Sequence, residues 1–330
     1  MINPSSEFAL IERFFKRSEL ANSFVERGVG DDCALLTPLE GEQLAVSTDA
    51  LVESIHFFAD VDPEALGHKA LAVNLSDLAA CGATPRCFFL ALALPRIDEA
   101  WLERFSGGLH ALADAHRCRL AGGDTTRSPA GVLITITVLG SIPGGQALMR
   151  SGAQIGDDIW VSGELGDAAL ALAAHRGTVT LPASQLQIVK RRLDRPAPRI
   201  SLGEGLRQIA TSAIDVSDGL VGDLAHVLRA SGVGAIVKWQ HVPRSAVLRQ
   251  QSDLMQQSCS LAGGDDYELL FTAPASSRSK VLAAASSADH VPMTRIGTVT
   301  ATADLTVLDE AGRRVETRLQ AFDHFAPQTQ

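Results

Sequence analysis

The chain of 330 residues has only five cysteines, Cys33, Cys81, Cys87, Cys118 and Cys259. They are odd in number, scattered and without a C-x-x-C pair, which excludes a disulfide scaffold and disfavours a zinc site, so a reducing cytoplasm is the expected compartment. Basic charge is also short: 29 Lys and Arg stand against 38 Asp and Glu, a formal net charge of −9. A general nucleic-acid or anionic-membrane binder needs a broad basic face, and no such partner is expected here. Long apolar runs are missing too. The opening SSEFALIERFFKRSEL interleaves charges with Phe8, Ile11 and Phe15 at helical spacing and has no signal-peptide core. The uncharged stretch 128–149 is broken by Pro129, Gly131, Gly140, Pro143, Gly144 and Gly145, so it is not a membrane span. The common nucleotide cradles are absent as well: there is no G-x-x-x-x-G-K-[ST], no G-x-G-x-x-G after a strand and no kinase H-R-D.

What remains is the composition of a globular protein, 46% hydrophobic and 20% charged, in a chain long enough for two domains. Apolar, β-branched runs (LAVST, FFLALAL, VLITITV) alternate with the helical patterns PEALGHKALAVNLSDLAACG and DEAWLERFSGGLHALADAHR, which predicts an α/β first half with helices starting near Pro63 and Asp98. After SIPGGQ the alternation resumes: DDIWVSG, AIDVSD, AIVKW and YELLFTA read as strands, GDAALALAAHR and GLVGDLAHVLRASG as helices. The proline-bearing RPAPRI leads into a further helix. The boundary is expected near Arg150, giving domains 1–149 and 150–330.

Acidic residues recur at the ends of apolar runs beside glycine or hydroxyl neighbours, in GVGDDC, STDAL, NLSDL, GGDTT, DVSDG and GGDDY. One such stretch is an ordinary turn or cap; six at strand ends and tight loops, where α/β folds gather ligand groups, point to a site. Adjacent carboxylates such as Asp31 and Asp32 repel by about 1 kcal/mol in water and by more where water is scarce, so cations are expected near them. Oxygen donors without partnered histidine or thiolate select Mg²⁺, or less often Ca²⁺ or Mn²⁺, over zinc, and Mg²⁺ typically bridges carboxylates to phosphate oxygens. GGDTTR is expected to be a short loop offering amides and hydroxyls, with Arg127 and Arg150 as the phosphate-contacting cations. Cys33, inside an apolar run, is expected to be structural.

The blocks GVGDDCALL, STDALVESIHF, HKALAVNLSDLAACGATP, AGGDTTR, MRSGAQIGDDIWVSG, RPAPRI, DVSDGL and GGDDYELLF, with a closing FDHF, closely resemble the thiamine-monophosphate kinase family in order and sequence. The resemblance implies a two-domain α/β (α+β) fold shared with aminoimidazole ribonucleotide synthetase. In that fold the N-terminal α/β domain dimerises through its sheet and a C-terminal α/β domain follows. It implies Mg²⁺-dependent transfer of the γ-phosphoryl of ATP to thiamine phosphate, the last step of thiamine diphosphate synthesis. It implies Asp32, Ser47, Thr48, Asp49, Asp77, Asp124, Asp215 and Asp218 as magnesium ligands, with Asp31 either sharing that duty or shaping the turn. Gly123, Arg150 and Ser217 are implied at the nucleotide phosphates, and His56, Asp265 and Phe322 around thiamine phosphate. Asp265 stands where the family commonly has glutamate, about 1.5 Å shorter in reach, and Phe322 where it often has Tyr or Trp. The alternatives are another ATP-using member of the superfamily, of aminoimidazole ribonucleotide synthetase or selenophosphate synthetase type, or a non-catalytic nucleotide-binding regulator.

Overall fold

The computed structural model describes residues 7–17, 24–288 and 290–315, and it divides into two compact units. The first comprises Met1–Leu78 and Ala83–Gly145, the second Ala79–Gly82 and Gln146–Gln330.

In the first unit a short helix α1 (Glu7–Leu10), continued by a π-helical turn, precedes the small antiparallel pair β1 (Val25–Arg27) and β2 (Leu35–Leu36). The main sheet has strands β3 (Glu42–Val52), β4 (Thr84–Leu94), β5 (Arg119–Arg127) and β6 (Leu133–Pro143) in the order β3-β6-β4-β5. All pairs are antiparallel except β4 with β5, and that parallel step needs a crossover, supplied by helix α3 (Glu99–Ala115). Helix α2 (Pro63–Ala80) joins β3 to β4. Its start has proline in the first turn after Asp62, whose Oδ1 accepts the Glu64 N–H at 3.1 Å. Asp98 caps α3 by accepting the Trp101 N–H at 3.0 Å.

One face of this sheet packs under the helices through Leu51, Leu90, Leu92, Ile134, Ile136 and Val138, all buried. The other face leaves Leu44, Val46, Val52 and Leu133 at 38–60% exposure, a row of apolar side chains on β3 and β6. Helix α2 is buried nearly all round, as a helix sandwiched in a core must be, and Asp77 is one of its few half-exposed positions. Helices α2 and α3 cross at a pair of glycines. A Cβ on Gly67 would lie 2.0 Å from the Phe105 carbonyl oxygen, and one on Gly108 would lie 1.9 Å from that of Glu64.

The second unit is built on a six-stranded sheet. Its strands are β7 (Asp158–Ser162), β8 (Ser212–Asp215), β9 (Gly234–Lys238), β10 (Leu269–Ala273), β11 (Met293–Thr300) and β12 (Leu305–Leu308), in the order β12-β9-β11-β7-β10-β8. Only β12 with β9 is parallel. Helices α4 (Asp167–His175), α5 (Ala183–Asp194), α6 (Ile200–Leu206), α7 (Leu220–Ser231), α8 (Asp253–Gln257) and α9 (Arg278–Ser287) surround it. Leu220, Leu224, Val227 and Leu228 of α7 pack on Ile159, Val161, Ile214 and Leu270 of the sheet. The amphipathic spacing of α7 is what buries that face, and Gly232, at φ +68°, ends the helix.

Two expectations are corrected. GGDTTR is the latter part of strand β5 rather than a loop, because pairing with β4 supplies the backbone partners that its polar side chains gave no sign of. Cys33 is exposed, since the apolar run that follows it forms only the two-residue strand β2.

Candidate functional site

Each unit carries part of the acidic set. In the first, strand alternation sorts the STD segment of β3 between two faces. Ser47 and Asp49 lie on the helix side, where the Ser47 hydroxyl donates to Asp77 Oδ2 and the Asp49 N–H donates to Asn74 Oδ1 at 3.2 Å. Asn74 is held in turn by donating to the Ala70 carbonyl at 3.0 Å. Thr48 lies on the opposite face, with Oγ1 2.9 Å from Thr137 Oγ1. Asp124 shares that second face, because it pairs in register with Ala91, Ala91 with Thr135 and Thr135 with Ala50. Just before it, Gly123 brings β5 so close to β4 that a Cβ would lie 1.9 Å from the Leu90 carbonyl oxygen.

Asp31 and Asp32 stand exposed between β1 and β2. The cation expected beside them is Arg27, whose Nη1 donates to Asp31 Oδ2 at 2.9 Å, while Asp31 Oδ1 accepts the Asp32 N–H at 2.9 Å. The Asp31 carboxylate thus bonds on one oxygen to Arg27 and on the other to the backbone of Asp32. His56 ends the β3 segment in a tight turn where its Nδ1 accepts the Val52 N–H at 2.9 Å. An accepting Nδ1 puts the ring proton on Nε2 and makes that nitrogen a donor.

In the second unit two loops are stitched together. Val216 donates to the Glu268 carbonyl at 2.8 Å, Tyr267 to the Val216 carbonyl at 2.8 Å, and Asp265 to the Ser217 carbonyl at 2.9 Å. The loop after β8, bearing Asp215, Ser217 and Asp218, and the loop before β10, bearing Asp265, thus form one platform. Glycine is required at the contact: a Cβ on Gly264 would lie 2.3 Å from the Ser217 carbonyl oxygen, and one on Gly219 would lie 2.7 Å from the carbonyl carbon of Ala262. The backbone before Arg150 runs alongside β8, where the Ala213 N–H donates to the Met149 carbonyl at 2.8 Å. Ser231, ending α7, accepts the Gly152 and Ala153 N–H groups at 3.1 Å each.

The platform rests on carboxylates that sequence reasoning did not single out. Asp223 Oδ2 accepts the N–H groups of Ser217, Asp218 and Gly219, each at 3.1 Å; burial, only partly offset by these bonds, raises its pKa to about 7. Asp266 takes the Gly166 N–H on both oxygens at 2.9 Å, and loss of solvent, with Glu268, Asp167 and Asp265 nearby, pushes its carboxyl well above the ordinary range. Glu268, 2% exposed, receives the Arg199 guanidinium on both oxygens, with Nε at 2.6 Å, and the Ser162 hydroxyl at 2.5 Å. Glu268 and Asp266 lie in the GGDDYE block and Arg199 in RPAPRI, but their pairing across 69 positions leaves no local signal.

The donors are carboxylate and hydroxyl oxygens throughout, a set that suits Mg²⁺. Among the described residues no three His, Cys, Asp or Glu side chains gather into a cage. Magnesium does not demand one, since it is commonly held by one or two carboxylates together with substrate phosphates and water. Phe322 lies outside the described residues.

Residues 30–142 match the family described as AIR synthase related protein, N-terminal domain, and residues 154–310 its C-terminal domain. The thiamine-monophosphate kinase of Salmonella typhimurium is 46% identical over 97% of this chain and 98% of its own, and that of Bacillus subtilis 35% identical over 89% and 91%. Among solved structures, thiamine-monophosphate kinase from Stenotrophomonas maltophilia superposes with a TM-score of 0.84 at 43% identity, covering 94% of this chain and 98% of that one. A relative described as "AaThiL complexed with AMPPCP and TMP" gives 0.76 at 29% identity over 88% and 89%. The hydrogenase maturation protein HypE, at 20% identity and a TM-score of 0.75, shares the fold. With both halves matched in order and the identity running through nearly the whole length, the chain belongs to the thiamine-monophosphate kinase family, on the two-domain AIR synthase related fold.

Proposed function

We propose that the protein is a kinase that transfers the γ-phosphoryl group of ATP to thiamine phosphate, giving thiamine diphosphate and ADP. The observation that carries this is the 46% identity to a thiamine-monophosphate kinase across both units. The acceptor is itself a phosphate whose second pKa is about 6, so its oxygen is largely ionised at neutral pH and no general base is required. His56 fits a binding role rather than a base's, because its Nδ1 accepts the Val52 N–H and the ring proton therefore sits on Nε2. Alignment of two anions then falls to the chain's own residues: Gly123, Arg150 and Ser217 toward the nucleotide phosphates, and His56, Asp265 and Phe322 toward thiamine phosphate.

Asp32, Ser47, Thr48, Asp49, Asp77, Asp124, Asp215 and Asp218 are the residues that would hold magnesium. When bound, the metal neutralises the charge spread over the transferring phosphoryl oxygens. The buried Asp215, 4% exposed at the end of β8, is the sharpest test. Asp215→Asn should abolish thiamine-phosphate-dependent ADP release while circular dichroism and melting temperature stay near wild type. Full activity in that variant would remove Asp215 from the machinery, and turnover of aminoimidazole precursors in place of thiamine phosphate would move the chain to another reaction of the fold.

The homodimer belongs to the same reading. The apolar row Leu44, Val46, Val52 and Leu133 lies on the sheet face turned away from α2 and α3, and β3 is an edge strand of that sheet. A second copy of the same face is a self-complementary cover for it. The cytoplasm is the compartment in which ATP and this biosynthetic step meet; among the described residues no helix is long and apolar enough to cross a membrane.

A further inference from the structure

The loop before β10 is held in a conformation that its residues do not favour. Asp265 has φ +69° and Tyr267 φ +51°, two non-glycine residues in the left-handed region within three positions. Such a backbone is unusual for any L-residue and more so for a bulky aromatic, and it persists only where surrounding contacts over-determine it. Here they do. Asp265 and Tyr267 donate their N–H groups to Ser217 and Val216, Asp266 is fastened to Gly166, and Glu268 to Arg199 and Ser162.

The twist has one direct product. It turns the phenol of Tyr267 back along its own loop, and its O–H donates to Asp265 Oδ1 at 3.1 Å. Residues two apart in an extended strand share a face but do not normally bond side chain to side chain along it; the left-handed backbone at both makes this contact possible. Tyr267 is the only tyrosine among 330 residues, and both partners are half-exposed, so a ligand can reach the carboxylate that the phenol holds.

We infer that Tyr267 is a positioning residue for thiamine phosphate: its phenol fixes the rotamer of the Asp265 carboxylate so that this carboxylate meets an N–H donor of the substrate already oriented. The inference rests on the reading of Asp265 as a substrate-binding residue. It differs from a packing role for the ring, because the ring survives in phenylalanine and only the hydroxyl is asked to act.

Steady-state kinetics on the full chain carrying Tyr267→Phe test it. The KM for thiamine phosphate should rise about three- to tenfold, the loss expected for one orienting hydrogen bond, while kcat, the KM for ATP and the melting temperature stay near wild type. In an Asp265→Ala background, where the carboxylate is gone, the same substitution should add nothing. Because there is one tyrosine, fluorotyrosine labelling gives a single fluorine resonance, which should shift when thiamine phosphate is added. An unchanged KM for thiamine phosphate in Tyr267→Phe, beside a raised one in Asp265→Ala, would overturn the inference and leave the reading of Asp265 intact. An unchanged KM in both would overturn the reading and the inference together. Equal rises in both KM values with a lowered melting temperature would make Tyr267 a structural prop and likewise overturn it.

Discussion

Charged residues of similar appearance in the sequence carry different weights in the structure. Glu268 and Asp31 both accept an arginine, but the Glu268 side chain is 3% exposed and the Asp31 side chain 47%. Removing one member of a buried pair strands its partner, whereas an exposed pair is screened by water. Glu268→Gln should therefore lower unfolding free energy by about 3 kcal/mol in denaturant titrations, and Asp31→Asn by less than about 1 kcal/mol. Asp158 adds a pH dependence. Its buried carboxyl is held below the ordinary range first by the Arg278 guanidinium, with Nε at 2.5 Å and Nη2 at 2.9 Å, and then by Arg295 at 3.1 Å. A depressed folded pKa gives stability that is present above the unfolded value and lost as pH falls through the folded one. Asp158→Asn should accordingly melt below wild type at neutral pH, and the gap should close in acid below about pH 4. A gap that widens in acid would contradict the assignment.

At the scale of elements, the glycine pair in α3 separates local propensity from packing. Gly107 is exposed, and a Cβ there meets nothing; Gly108 next to it is buried against the Glu64 carbonyl at the crossing with α2. Gly107→Ala should stabilise by up to about 1 kcal/mol through helix propensity. Gly108→Ala should destabilise by about 3 kcal/mol or more, because neither backbone can yield without opening the crossing. Thermal melts of the two variants should move in opposite directions. The order of elements was readable because strong periodicities carry it: VLITITV alternates into β6, and Asp98 announces α3 three residues before the N–H that it caps. GGDTTR misled because glycine and threonine spell a turn locally, while the hydrogen bonds that make it a strand come from β4, some thirty residues earlier in the chain. The acidic blocks of the site were visible for a similar reason, each being local. The supports beneath them, Asp223 against Ser217–Gly219, Asp266 against Gly166 and Arg199 against Glu268, exist only once distant segments meet.

For the whole molecule, association is the property that the outer face of the first unit's sheet should control. Val46, 60% exposed on β3, sits in the middle of the apolar row and is not itself one of the proposed ligand groups. A charge there costs little in a monomer and much in a covered interface. Val46→Asp should convert a dimer into a monomer in sedimentation at micromolar concentration, with far-ultraviolet circular dichroism unchanged; a wild-type chain that sediments as a monomer would remove the face from consideration.

The stitched loops of the second unit have a consequence for descent as well as for chemistry. Three backbone hydrogen bonds and two glycine contacts make residues 215–219 and 262–268 one mechanical piece. A change of side chain in one segment is transmitted as a displacement of the other, so neither can drift alone without disturbing what its neighbour grips. Across relatives the two segments should vary in concert or not at all, and a graft of either into a distant homologue should succeed only when both are carried over together.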